Sequence, residues 1–225
     1  IETHVSNGAD YQYNITYLST QPDKLGYTMG KYLRSEMIPA LETKMKNKGN
    51  TMVPYVNHHS GPLKNTYSTF YDSPRYSSGL TTLHNIFGFI SETPMLKPFD
   101  IRVKATYDYL LCSVEFCNEN NRKIKITRTA HKQAIATAKS YPIDWEVDKY
   151  DLSQMQFNGY EYGYNKSKIT GEDRLYYDRT KPVTKTMFYL GTMLETKRMT
   201  KPKAYILKRG FVDVEDRLRW NGVQM

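Results

Sequence analysis

The chain has 225 residues and 39% hydrophobic content, enough for one large domain or two small ones around a core, and no apolar run long enough to span a bilayer. Its net charge of +9 invites a nucleic-acid partner, but the excess is spread evenly: 16 basic and 11 acidic residues in 1–138, 16 and 12 in 139–225. No basic stripe that could track a phosphate backbone results, so neither nucleic acid nor a transmembrane segment is expected.

In chain order, Ile1-Glu2-Thr3-His4-Val5-Ser6-Asn7-Gly8 passes from apolar to polar and reads as a strand end followed by a turn. Tyr11 to Leu18 alternates loosely and predicts an extended segment. Pro22-Asp23 starts a helix in which Leu25, Met29, Leu33, Met37, Leu41 and Met45 recur every fourth residue; Lys44, Lys46 and Lys48 suit its negative end, and Pro39 should kink it. Asn50 to Tyr76 is polar and without period, and a loop of that length points to function. The adjacent His58 and His59 inside it cannot both face one metal from a strand and read as surface histidines.

A helix-like segment over 77–85 is followed by the apolar run Phe87 to Ile90, which stops at Ser91-Glu92-Thr93-Pro94 because proline ends strand pairing. Phe99 to Phe116 predicts a helix with Val103, Tyr107, Leu110, Leu111 and Val114 on one side, and Ile124 to Ala138 a second, more basic helix beside a solvated cluster from Arg122 to Lys132. Cys112 and Cys117, five apart on the first, point about 140° from each other and read as buried thiols. Beyond Lys139 short runs separated by turn residues have the rhythm of a β-rich unit. Tyr160, Tyr162 and Tyr164 share one strand face, and 202–207 is a last strand-like run. Val212, Glu215, Leu218 and Arg219 have helical spacing closed by Asn221-Gly222.

Two positions carry candidate chemistry. In an α/β sheet ligands bind at the carboxyl ends of strands, which is where the spacing puts His4 and the carboxylate of Glu92. In Phe70-Tyr71-Asp72-Ser73-Pro74-Arg75-Tyr76, the Tyr71 phenol could donate to a substrate amide or oxyanion, and Arg75 could grip a carboxylate through two N–H bonds. Plain structural roles, a packed aromatic and an ion pair with Asp72, stand equally beside these.

The order THVSNGADYQY, an amphipathic helix, FYDSPRYSSG and GFISET, over about residues 1 to 115, resembles the C-terminal half of a zinc carboxypeptidase domain of the carboxypeptidase A type. The resemblance implies that His4 is a zinc ligand, Glu92 the general base and Tyr71 the loop tyrosine that covers the substrate, with Tyr76 competing for that place and Arg75 assigned to substrate binding. It also implies a peptide or protein C-terminus as substrate, zinc as cofactor, and an exported location. The family's first two zinc ligands form a His-x-x-Glu pair, and this chain contains none, nor a counterpart of the family's carboxylate-gripping Arg and Asn. The expectation is a chain that begins in mid-domain and by itself hydrolyses nothing, with a relative that has lost its metal as the alternative. The expected fold is α/β. Residues 1–138 would form part of a zinc-exopeptidase-like sheet with flanking helices, and 139–225 a small β-rich domain ending in a short helix. A zinc deacylase of N-acyl amino acids, or a non-catalytic protein that binds peptide or glycan through its tyrosine-rich unit, are the rival readings.

Overall fold

The computed structural model describes residues 1–6, 8–58 and 61–225, so that His59 lies outside the described residues. The fold is mixed α/β with open sheets. Its central sheet is built from β1 (Glu2–Ser6), β2 (Ile15–Ser19), β3 (Met52–Pro54) and, after a separate strand β4 (Thr66–Ser68), β5 (Phe89–Pro94), in the order β1-β5-β2-β3. β1 runs parallel to β5 and β2 parallel to β3, while β5 and β2 are antiparallel.

Period-two alternation gives the sheet two unlike faces. Ile15, Tyr17, Met52 and Phe89 point to the helical layer. That layer starts with α1 (Pro22–Tyr32), entered through a Gln21 side chain that accepts the Asp23 N–H, and continues through a π-helical turn, Leu33–Met37, into α2 (Ile38–Asn47). All six residues of the predicted stripe, Leu25 through Met45, are at most 4% exposed. Pro39 acts as expected of a residue without an N–H, but the interruption is a widened turn placed before it, where Ile38 N–H reaches back to Leu33 O, and Pro39 itself sits in the first turn of α2.

After α3 (Ser77–Leu83) and β5 come two longer helices, α4 (Phe99–Glu119) and α5 (Asn121–Thr137). α4 is turned the other way from its hydrophobic pattern. Val103, Tyr107, Leu110 and Val114 are 38–66% exposed, whereas Ala105, Asp108, Tyr109, Cys112, Ser113 and Phe116 are buried. Polar residues hid the inward face from the pattern. Asp108 is held there by Asn50 Nδ2 at 3.0 Å and by Lys104, and Ser113 Oγ donates to Tyr109 O. Of the two cysteines only Cys112 is buried; Cys117 is exposed, and both are free.

The segment from Asn50 to Tyr76 is not one long loop, since β3 and β4 lie within it. Beyond residue 139 the strands are long: β6 (Ser140–Val147), β7 (Ser153–Lys166), β8 (Asp173–Leu190) and β9 (Met193–Thr200). β7 and β8 form an antiparallel hairpin that β4 extends in parallel, and β6 pairs with β9. Residues 202–207 form no strand and are exposed, because no described strand pairs with them. The chain closes with α6 (Val212–Trp220), ended as predicted by Asn221 and by Gly222 at φ 77°. A second core on the far side of the central sheet joins Ala9, Tyr11, Tyr13, Val53, Val56 and Tyr67 to Phe157 and Met187 of the hairpin. No described helix is long and apolar enough to cross a membrane.

Candidate functional site

His4 and Glu92 are direct partners in the register of the parallel pair β1–β5, so the sheet places them side by side. Both lie inside their strands: β5 continues through Glu92 and closes on Pro94, a residue whose missing N–H is tolerated at a strand end. His4 Nδ1 stands 3.4 Å from Glu92 Oε1. The next residue on the same face of β1 is Glu2, two positions earlier, and its Oε1 lies 2.7 Å from His4 Nε2. The second oxygen of Glu2 accepts a hydrogen bond from Ser77 Oγ at the start of α3. A line of four side chains, Ser77, Glu2, His4 and Glu92, thus runs across the edge of the sheet.

The electrostatics of this line are set by unequal burial. His4 is 44% exposed at its side chain, and Glu92 only 10%. Burial pushes the Glu92 carboxyl above the usual carboxylate range; the neighbouring imidazole pulls it down without cancelling that effect. Burial disfavours protonation of His4, but the hydrogen bond to Glu2 and the charges of Glu92 and Glu2 outweigh it, and the imidazole pKa is raised. The hydrogen bond from Ser77, then that with His4, holds Glu2 below its ordinary value. Glu92 Oε2 is enclosed and has no hydrogen-bond partner among the described residues. A carboxyl with a raised pKa beside an imidazole is suited to taking up and returning a proton.

The other candidates sit apart from this line. Asp72 is ion-paired with the buried Lys24 of α1 and not with Arg75, and Lys24 also donates to Asp72 O. Tyr71 stacks on Trp145 of β6, with ring centroids 6.5 Å apart, and its ring lies 5.0 Å from Lys24 Nζ. Tyr76 meets Phe70 edge to face at 5.2 Å. Arg75 is exposed. No described hydrogen bond, ion pair or ring contact joins Tyr71, Arg75 or Tyr76 to His4 or Glu92. Their segment is nonetheless tethered at both ends, through Asp72 to Lys24 and through Ser77 to Glu2. Gly79 makes room for it: a Cβ there would lie 2.2 Å from Ser73 O and 2.3 Å from Asp72 O.

Glu2 could have been found from the sequence, because residues i and i+2 share a strand face. Ser77 and Lys24 left no such signal, being brought in by tertiary contacts across 75 and 48 residues.

Zinc held for catalysis needs three protein ligands and an open position. His4 offers one imidazole. Among the described residues no group of three or more His, Cys, Asp or Glu side chains stands where it could hold a metal ion. The described donors therefore fall short of a zinc site by themselves. In comparisons with known proteins, no family model, no curated protein and no solved structure matches the chain.

Proposed function

We propose that this chain carries the general-base part of a metallocarboxypeptidase-like hydrolase acting on C-terminal peptide bonds. The reading is supported chiefly by one observation: the His4–Glu92 pair, 3.4 Å apart in strand register, with the Glu92 carboxyl raised by burial. In this reading Glu92 takes a proton from the attacking water at Oε1, the oxygen beside His4, and returns it to the leaving amine as the amide bond breaks. Glu2 holds His4 through Nε2 and leaves Nδ1 facing the reaction centre. His4 is the described side chain that would serve as a zinc ligand, and the ion would require two more ligands that the described residues do not bring together. Tyr71, Tyr76 and Arg75, on the tethered segment, are proposed to meet the substrate.

Release of the C-terminal amino acid from a peptide, followed by mass spectrometry, tests this in two forms of the protein. The 225-residue chain alone is expected to bind zinc weakly and to release nothing. If sequence upstream of Ile1 supplies a His-x-x-Glu, the protein that includes it is expected to be active, and Glu92→Gln in that protein to lower kcat by at least about a hundredfold while zinc content stays unchanged. Full activity of the Glu92→Gln form would defeat the assignment of the base. Saturable hydrolysis by the isolated chain would defeat the assignment of missing ligands.

A further inference from the structure

β2 and β3 run parallel, and past their carboxyl ends a cavity of about 360 Å³ opens between the helical layer and the β7–β8 hairpin. Such crevices are where α/β sheets take ligands, and the volume falls in the range of small-molecule sites, about 300–1,000 Å³. Ser77, Glu2, His4 and Glu92 do not line it, so it is separate from the site described above. Hydrogen bonds tie its two sides together across residue 139: Gln21 Nε2 donates to Gly191 O at 2.9 Å, and Thr69 N–H to Leu190 O at 2.9 Å. Gly191 shapes the wall. A Cβ there would fall 2.5 Å from Tyr189 Cε1, so glycine lets the Tyr189 ring lie against the chain.

Among the described residues two charged side chains line the cavity, Arg34 and Asp151, and their charges cancel. Each is held by one bond and keeps bonding capacity. Arg34 Nη2 donates to Asp23 Oδ2 at 2.8 Å, while its Nε and Nη1 meet no described acceptor. Asp151 Oδ2 accepts from Thr192 Oγ1 at 2.6 Å, while Oδ1 meets no described donor. Ser68 adds a hydroxyl, and the half-buried Phe70 and Tyr189 add ring surface.

We propose that this cavity binds a neutral polyhydroxylated ring, one sugar residue, through Arg34 and Asp151. A carboxylate or phosphate brings acceptors alone and meets the charge of Asp151; an ammonium brings donors alone and meets that of Arg34. A hydroxyl both donates and accepts, so the hydroxyls of one ring satisfy the free oxygen of Asp151 and the free N–H groups of Arg34 together, in bonds strengthened by the protein's charges. The apolar C–H face of the sugar is left to lie on Phe70 or Tyr189. The sugar can be free or the end of a glycan. The site stands independently of the hydrolase reading, since sugar binding by a chain that releases no amino acid leaves it intact.

Saturation-transfer NMR on the 225-residue chain tests this. The probes are the methyl glycosides of glucose, galactose, mannose and N-acetylglucosamine, the disaccharides maltose and chitobiose, and benzoate and benzylamine as charged rings. At least one sugar is expected to bind with a millimolar Kd, and Asp151→Asn and Arg34→Met each to weaken it about tenfold. Tighter binding of a disaccharide than of its methyl glycoside identifies a glycan end as the ligand, and equal binding a single sugar. No transfer to any of the six sugars, or tighter binding of benzoate or benzylamine than of every sugar, would overturn the proposal. So would sugar binding that both variants leave unchanged and Tyr162→Ala abolishes, which would place it on the exposed tyrosines of the hairpin. Arg34 and Asp151 are exposed, and both variants are expected to melt with the parent. Should Arg34→Met unfold the chain by freeing Asp23, Asp151→Asn, which keeps the shape of the side chain, decides alone.

Discussion

His4 has a carboxylate on each ring nitrogen, and the two contribute unequally to its raised pKa. The Glu2 hydrogen bond is the larger raising influence, with the Glu92 charge next. An NMR titration of the His4 Cε1–H should therefore show a pKa that falls in Glu2→Gln and falls less in Glu92→Gln; the reverse order would contradict the geometry. Glu92 makes a separate prediction about stability. Because its pKa is raised in the folded protein, the protonated form favours folding: that contribution is complete below the ordinary value of 4.5 and is lost as pH rises through the folded pKa. Glutamine stays neutral throughout. Glu92→Gln should gain stability relative to the parent between acid and neutral pH in urea melts, and a constant difference across that window would exclude a raised pKa.

At the scale of elements, the two longest hydrophobic patterns had opposite outcomes. The every-fourth-residue stripe of α1, the π turn and α2 packs against the sheet, and Leu33 within it is fully buried. Leu33→Ala should cost about 2–5 kcal/mol through lost burial and the cavity left behind. The comparable stripe on α4 faces outward, with Val103 half exposed, so Val103→Ser should change stability by no more than about 0.5 kcal/mol. Paired urea denaturation curves measure both; similar losses at the two sites would mean that α4 is turned as its pattern alone predicts. α4 departs from its pattern because Asp108, Lys104 and Asn50 satisfy one another, which lets a polar residue occupy the inward face.

The whole molecule is joined across residue 139 by the second core. Phe157 is fully buried against Tyr11 and Tyr13, with ring centroids 5.6 and 5.1 Å away, and Tyr13 OH accepts a hydrogen bond from Asn158 N–H at 3.1 Å. Arg179 of β8 reaches Asp10, and Gln21 Nε2 reaches Gly191 O. Residues 1–138 expressed alone should consequently expose Tyr11, Tyr13, Val56 and Tyr67, bind the dye ANS and melt without a sharp transition. A cooperative melt of that fragment, close to that of the full chain, would show the two parts to be independent.

Local rules written in the sequence determined much of this protein. Four-residue periodicity marked the long helical face, and the Asn221-Gly222 pair marked the end of α6. The apolar-to-polar junctions at His4 and Glu92 singled out the two residues that the sheet brings together, although both sit inside their strands. Only the tertiary structure decided that these positions are register partners, since strand order β1-β5-β2-β3 joins segments almost ninety residues apart. It alone assigned Asp72 to Lys24, brought Ser77 to Glu2, and set Lys97 and Arg179 against Asp10. Periodicity reports which face of an element is apolar. It carries no record of which distant charge or hydroxyl meets a buried carboxylate, because that is settled by strand register and by the need to satisfy each buried polar group.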